Sequence, residues 1–151
     1  MTPPSIFTVR GFLTWFIAGF LAVLVFHQGM LAILHGIGVT AYAPLPMRPV
    51  PPFGVPQVIS LAFWGGVWGL VLGLIAPRLP RGLAYWLIIA VFGAIAPVAV
   101  AIFVVFPLKG ITPASDHPIA ELVSGLLING AWGVGTALFA RLGGRIQQKT
   151  G

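Results

Sequence analysis

The sequence predicts an all-α integral membrane protein: a four-transmembrane-helix bundle built from a duplicated two-helix hairpin, with both termini cytoplasmic. Three observations carry this expectation. Of 151 residues, 58% are hydrophobic and 7% charged, whereas a soluble domain needs roughly a quarter of its residues charged to cover its surface. No charge falls between Arg10 and Arg48, Arg48 and Arg78, Arg81 and Lys109, or Glu121 and Arg141, and each gap can hold a spanning helix. The uncharged run QVISLAFWGGVWGLVLGLIA at 57–76 returns 64 positions later as ELVSGLLINGAWGVGTALFA at 121–140, with Ser60 on Ser124, Gly66 on Gly130, Trp68 on Trp132 and Gly69 on Gly133.

The first span is expected at 11–34. It is longer than a bilayer requires, so it tilts or emerges into the interface. Its length and the lack of a clean small-x-small site argue against a cleaved signal peptide. Residues 40–56 hold APLPMRPVPPFGVP, too many prolines for a helix or a central strand, and should be extended and semi-rigid. The second span, 57–76, is long enough at about 1.5 Å per residue to cross the roughly 30 Å hydrocarbon core. Pro77 ends it, and a basic turn follows.

The third span, 83–106, opens on RGLAYWLIIA, which overlies RGFLTWFIAG with Arg81 on Arg10 and Trp86 on Trp15. Pro97 should kink it, with Gly93 one turn earlier easing the clash. A second loop carries Lys109, Asp116 and His117. The fourth span is expected at 119–140, followed by a polar tail that should fray. The whole reads as one membrane domain, 1–151, whose repeats cover approximately 10–78 and 81–142. Two spans per repeat give both copies the same orientation, about an axis along the membrane normal.

Topology follows from the basic residues. With the N-terminus inside, Arg10, Arg78, Arg81, Arg141, Arg145 and Lys149 lie inside, and Arg48 and Lys109 outside. The net charge of +6 is thus assigned to topology, and no nucleic-acid partner is expected. The expected setting is a bacterial inner membrane, with the lipid bilayer and either a second copy or a larger membrane complex as partners.

Two sets of residues are candidates for function. Gly65, Gly69 and Gly73 line one side of the second span at four-residue spacing, and Asn129, Gly133 and Ala137 match them in the fourth. Small faces of this kind let helix backbones approach closely in lipid, where apolar burial gains nothing. The two small-faced helices are expected to pack in parallel at the repeat axis, or one of them to contact another subunit.

The second set is a polar ring in the outer third: His27, Gln28, His35, Gln57, Ser60, His117, Glu121 and Ser124. Polar groups at membrane depth usually face a cavity or one another. Plainer roles compete. Gln57 and Glu121 suit helix starts, Ser60 and Ser124 can bond their own helix, and His35 and His117 can lie in water. His27 and Gln28 fall inside the apolar run and call most for partners.

No catalytic, metal or cofactor site is expected. There is no cysteine, the acids and histidines lack compact ligand spacing beyond His117 and Glu121, and no G-x-S-x-G pattern surrounds Ser60 or Ser124. The chain resembles small four-span multidrug transporters in size alone, since it lacks their intramembrane glutamate in the first span. It looks as a whole like the small four-span bacterial inner-membrane proteins, a resemblance that implies no activity. The expected function is a non-catalytic membrane subunit or scaffold packing through glycine-rich faces. The alternative is a small-solute or ion transporter using the outer polar cavity.

Overall fold

The computed structural model describes residues 5–110 and 116–149. It has four helices long and apolar enough to cross a membrane. They are α1 (Val9–Gly36), α2 (Gln57–Arg78), α3 (Leu83–Leu108) and α4 (Pro118–Lys149). Each runs a few residues past the span expected from sequence. The apolar run marks only what lipid demands, and a helix continues while its backbone groups find partners. Of the tail expected to fray, the described part is helical, for α4 continues to Lys149. Part of that extension packs: Arg141 lies 3.9 Å above the Tyr85 ring and 4.7 Å above the Trp86 ring, a cation–π contact.

The helix starts follow local chemistry. Thr8 caps α1, its hydroxyl accepting the Gly11 N–H at 3.0 Å. After α1, Gly38 adopts φ +76°, a conformation that favours glycine. It lets the Val39 N–H return to Leu34 O at 2.9 Å. The proline-rich connection bends at Pro44–Leu45 and forms a small antiparallel hairpin, β1 (Pro49–Val50) with β2 (Val55–Pro56). Two π-helical turns interrupt the long helices, at Val23–His27 in α1 and at Ala101–Val105 in α3. The α3 helix passes through Pro97 without a break.

The main contacts run α2 to α1, α1 to α4, and α4 to α3. Each hairpin closes on glycines. In the first, Gly19 of α1 faces Gly65 and Gly69 of α2. A Cβ on Gly69 would collide with Trp15 O and stand 3.1 Å from the Gly19 Cα. In the second, Gly93 of α3 faces Gly133 of α4. A Cβ on Gly133 would stand 2.9 Å from Ile89 O and 3.1 Å from the Gly93 Cα. The two crossings involve the same kinds of atoms in the same order.

This differs from the parallel α2–α4 contact expected from the small faces. Gly65 and Gly69 of α2 and Gly133 of α4 pack instead against the preceding helix of their own hairpin, antiparallel to it. The counterpart small residues, Gly19 and Gly93, sit on α1 and α3. Contact between α2 and α4 is slight, and the Trp132 indole comes 3.2 Å from a Cβ built on Gly65.

Trp132 joins the hairpins. Its Nε1–H donates to Gly19 O at 3.0 Å, and the indole is buried. On the other side of the bundle, Trp68 meets Phe92 edge-on, ring centroids 6.2 Å apart. There the helices stand farther apart, because an aromatic ring occupies the space that Ala18 leaves open beside Gly19. The core contains Trp15, Leu72, Ile89, Trp132 and Thr136, all essentially inaccessible. The outermost helix is α3: 11% of its most apolar 18 residues are buried, against 39% in each of the others.

The crossings make a direct prediction. Gly19→Ala and Gly69→Ala should each destabilise the bundle by about 1–3 kcal/mol, because the added methyl meets backbone that cannot yield. Gly29→Ala should be neutral or slightly stabilising, since nothing lies within 4 Å of its Cβ position and alanine favours helix. Unfolding in mixed micelles measures all three, and equal effects at the three sites would refute the close crossing.

Candidate functional site at the loop end

The polar side chains expected to ring the outer third divide by what they touch. Gln28 is buried at 3% exposure and holds the loop. Its Oε1 accepts the Leu45 N–H at 2.7 Å, and its Nε2 lies 3.3 Å from His27 Nδ1. A backbone N–H can only donate, so the amide orientation is fixed and Nε2 faces His27. His27 Nδ1 is therefore the acceptor, and the proton of its neutral ring sits on Nε2.

The segment on which Gln28 pulls is gripped from the other side by α2. The first N–H groups of a helix have no partner within it. Here Gln57 N–H donates to Arg48 O and Val58 N–H to Pro46 O, both at 2.9 Å. Arg48 Nε then donates to Gln57 Oε1 at 2.7 Å. Residues 45–48 thus lie between α1 and α2 and bond to both. Leu45 has φ +54°, an uncommon conformation for a branched side chain, and it aims this residue's N–H at Gln28.

A second tie lies just beyond α1. His35 Nδ1 is 3.2 Å from Thr40 O. A carbonyl only accepts, so Nδ1 bears the proton here, the opposite tautomer to His27. The Tyr42 N–H donates to the Thr40 hydroxyl at 3.2 Å.

The remaining members of the expected ring lie apart from this latch. Ser124 is buried and donates to Ala120 O at 2.7 Å, one turn back on its own helix. Glu121 and His117 are exposed, and Glu121 N–H bonds His117 O at 3.1 Å. Ser60 is partly buried on α2. A shallow hollow of about 480 Å³ is lined by Asp116, His117, Pro118, Ile119, Ala120 and Val123, and it opens to the surface. Among the described residues, no group of three histidine and acidic side chains is placed to hold a metal ion.

Of the small-face set, Gly65 and Gly69 meet α1 at the first crossing, and Gly133 meets α3 at the second. Gly73 lies against the Trp15 ring, and Ala137 is fully buried. Asn129 satisfies itself, donating to Gly125 O at 2.9 Å, while its own carbonyl lies 2.8 Å from a Cβ built on Gly93. Thr136, unmarked by the sequence reading, is fully buried and donates to Trp132 O at 2.9 Å. Gly19 was also missed. Its signal lay in the run of small residues at Gly11, Ala18, Gly19 and Ala22, which shares one helical face with Trp15.

No known family, curated protein or solved structure matches this chain. The site must be read from its own geometry. That geometry is mechanical: a buried amide and a helix start together fix a loop against the end of the bundle. No nucleophile with an adjacent base is part of it.

Gln28→Leu should leave the Leu45 N–H without its partner, costing about 1–3 kcal/mol if it stays buried. Amide exchange at Leu45 and its neighbours should quicken at least tenfold, with exchange at the Gly19–Gly69 crossing unchanged. Unaltered exchange at Leu45 would show that Gln28 does not hold the loop.

Proposed function

We propose that this chain is a non-catalytic subunit or scaffold of a bacterial inner membrane, built by duplication of a two-helix hairpin, with both termini in the cytoplasm. The observation that carries the reading is how the interior is used. Side chains as large as Trp15 and Trp132 fill it, and Gln28, Asn129, Thr136 and Trp132 each bond a backbone group. A bundle closed in this way presents its outer faces to lipid and to other subunits.

The duplication is supported by the two crossings. Gly69 and Gly133 are 64 positions apart, the interval of the sequence repeat, and Gly65 and Asn129 keep the same interval. On the partner helices, Gly19 corresponds to Gly93 and Trp15 to Ile89, each 74 positions on. The helix starts Val9 and Leu83 stand at that same interval. The sequence overlay of Arg10 on Arg81 sets this pair of helices 71 apart, three residues short. Arginine and tryptophan mark where a helix leaves the membrane, whereas the glycine marks where it touches its partner.

The transport reading rests on His27, which is partly buried at the end of a π-helical turn, a feature frequent at functional sites. The two readings part in one experiment. Extraction in mild detergent should yield the chain in an assembly well above its 15.9 kDa, with or without other subunits. A chain that runs alone, and renders proteoliposomes permeable to small ions in a manner lost on His27→Leu, would favour transport.

Sidedness is tested by single cysteines, since the chain has none of its own. Phe53→Cys should react with an impermeant maleimide in intact cells. Pro80→Cys should react only after the membrane is opened. The reverse pattern would overturn the assignment.

A further inference from the structure

A groove runs along the outside of the bundle between α1 and α4, at the end that carries the basic turn. It has a volume of about 410 Å³ and is bounded on α1 by Arg10, Leu13, Thr14, Ile17 and Leu21, and on α4 by Leu142 among others. The α1 residues recur at three- and four-residue steps, so they form one continuous face. Leu13, Ile17 and Leu21 are each about half exposed, and Arg10 stands exposed at the mouth. From Arg10 to Leu21 the groove extends about 16 Å along the helix, or half of the roughly 30 Å hydrocarbon core.

We propose that this groove binds one anionic phospholipid, with an acyl chain along Leu13, Ile17 and Leu21 and its phosphate on Arg10. Two quantities select this occupant. The first is length: the open groove runs about 16 Å along α1 past Leu13, Ile17 and Leu21, an apolar strip about as long as one leaflet is thick, which suits an acyl chain. The second is charge. The chain's only two acidic side chains, Asp116 and Glu121, lie in the sequence at the opposite ends of α3 and α4, so neither competes for Arg10. The neighbouring Arg141 is turned away, over the Tyr85 and Trp86 rings of α3. A guanidinium at the membrane surface without an acidic partner is suited to a phosphate oxygen pair.

The groove also has a place in the fold. Its walls are the α1–α4 interface that joins the two hairpins, and a Cβ on Gly143 would come 2.9 Å from the Thr14 methyl at its floor. A lipid seated there touches both hairpins at once. It would bind the folded bundle and not the separated helices, and so would stabilise the docked state.

The test is native mass spectrometry of the purified chain titrated with phosphatidylglycerol and phosphatidylcholine of identical acyl chains. The wild type should retain phosphatidylglycerol at least threefold more than phosphatidylcholine. Arg10→Gln should bring that ratio close to one, while Arg81→Gln, at the same end but off the groove, should leave it unchanged. Leu13→Trp should lower retention of both lipids at least threefold by filling the groove. Should that variant fail to fold, the Arg10→Gln ratio decides alone, since this side chain is exposed. A wild-type ratio in Arg10→Gln, or an equal loss in Arg81→Gln, would overturn the proposal and leave only a diffuse attraction between basic protein and anionic lipid.

Discussion

In lipid, apolar surface gains nothing by leaving its surroundings, so helices stay together only where their backbones come close enough for dispersion and polar bonds to act. In this chain that constraint is met at Gly19. Gly65 and Gly69 of α2 touch it on one side, and the Trp132 indole of α4 donates to its carbonyl on another. Three of the four helices therefore meet at a residue with no side chain. The same carbonyl also accepts the Val23 N–H within α1, so one oxygen serves both its own helix and the neighbouring hairpin. The fourth helix is held through α4, by the equivalent contact of Gly93 with Gly133.

From these crossings the rest of the arrangement follows. Trp68 corresponds to Trp132 at the 64-residue interval, and Phe92 to Ala18 at the 74-residue interval. Where alanine lies beside the glycine, the tryptophan reaches the backbone. Where phenylalanine lies there, the tryptophan stops at its ring. One change of side-chain size thus fits the close contact of α1 with α4 and the ring contact of Trp68 with Phe92 between α2 and α3. It also explains why α3 remains the most exposed helix of the four.

The number of spans and most of their limits were legible because lipid imposes a single demand, an uncharged run of sufficient length. The small faces of α2 and α4 were legible for the same reason, as spacing. Their partners were not, because a glycine stripe marks a close contact without saying which helix provides it. The polar ring was half legible. Gln28 was marked by its depth, and it does find a partner, but that partner is the Leu45 backbone N–H, which carries no side-chain signal at all. The π-helical turn at Val23–His27 adds a residue to one turn, so it rotates Gln28 relative to the Gly19 face by an amount no helical wheel anticipates.

The account stands on backbone contact at the two crossings, and this is open to direct measurement. Solid-state NMR on glycine-Cα-labelled chain in bilayers reports Cα–Cα separations between helices. Gly19–Gly69 and Gly93–Gly133 should both give strong cross-peaks at about 4–5 Å, since a Cβ on either partner would lie 3.0–3.1 Å from the other's Cα. Ordinary helix packing keeps the axes about 8–10 Å apart. Separations beyond about 7 Å at both pairs would mean that side chains, not backbones, set the distance, and would contradict the account.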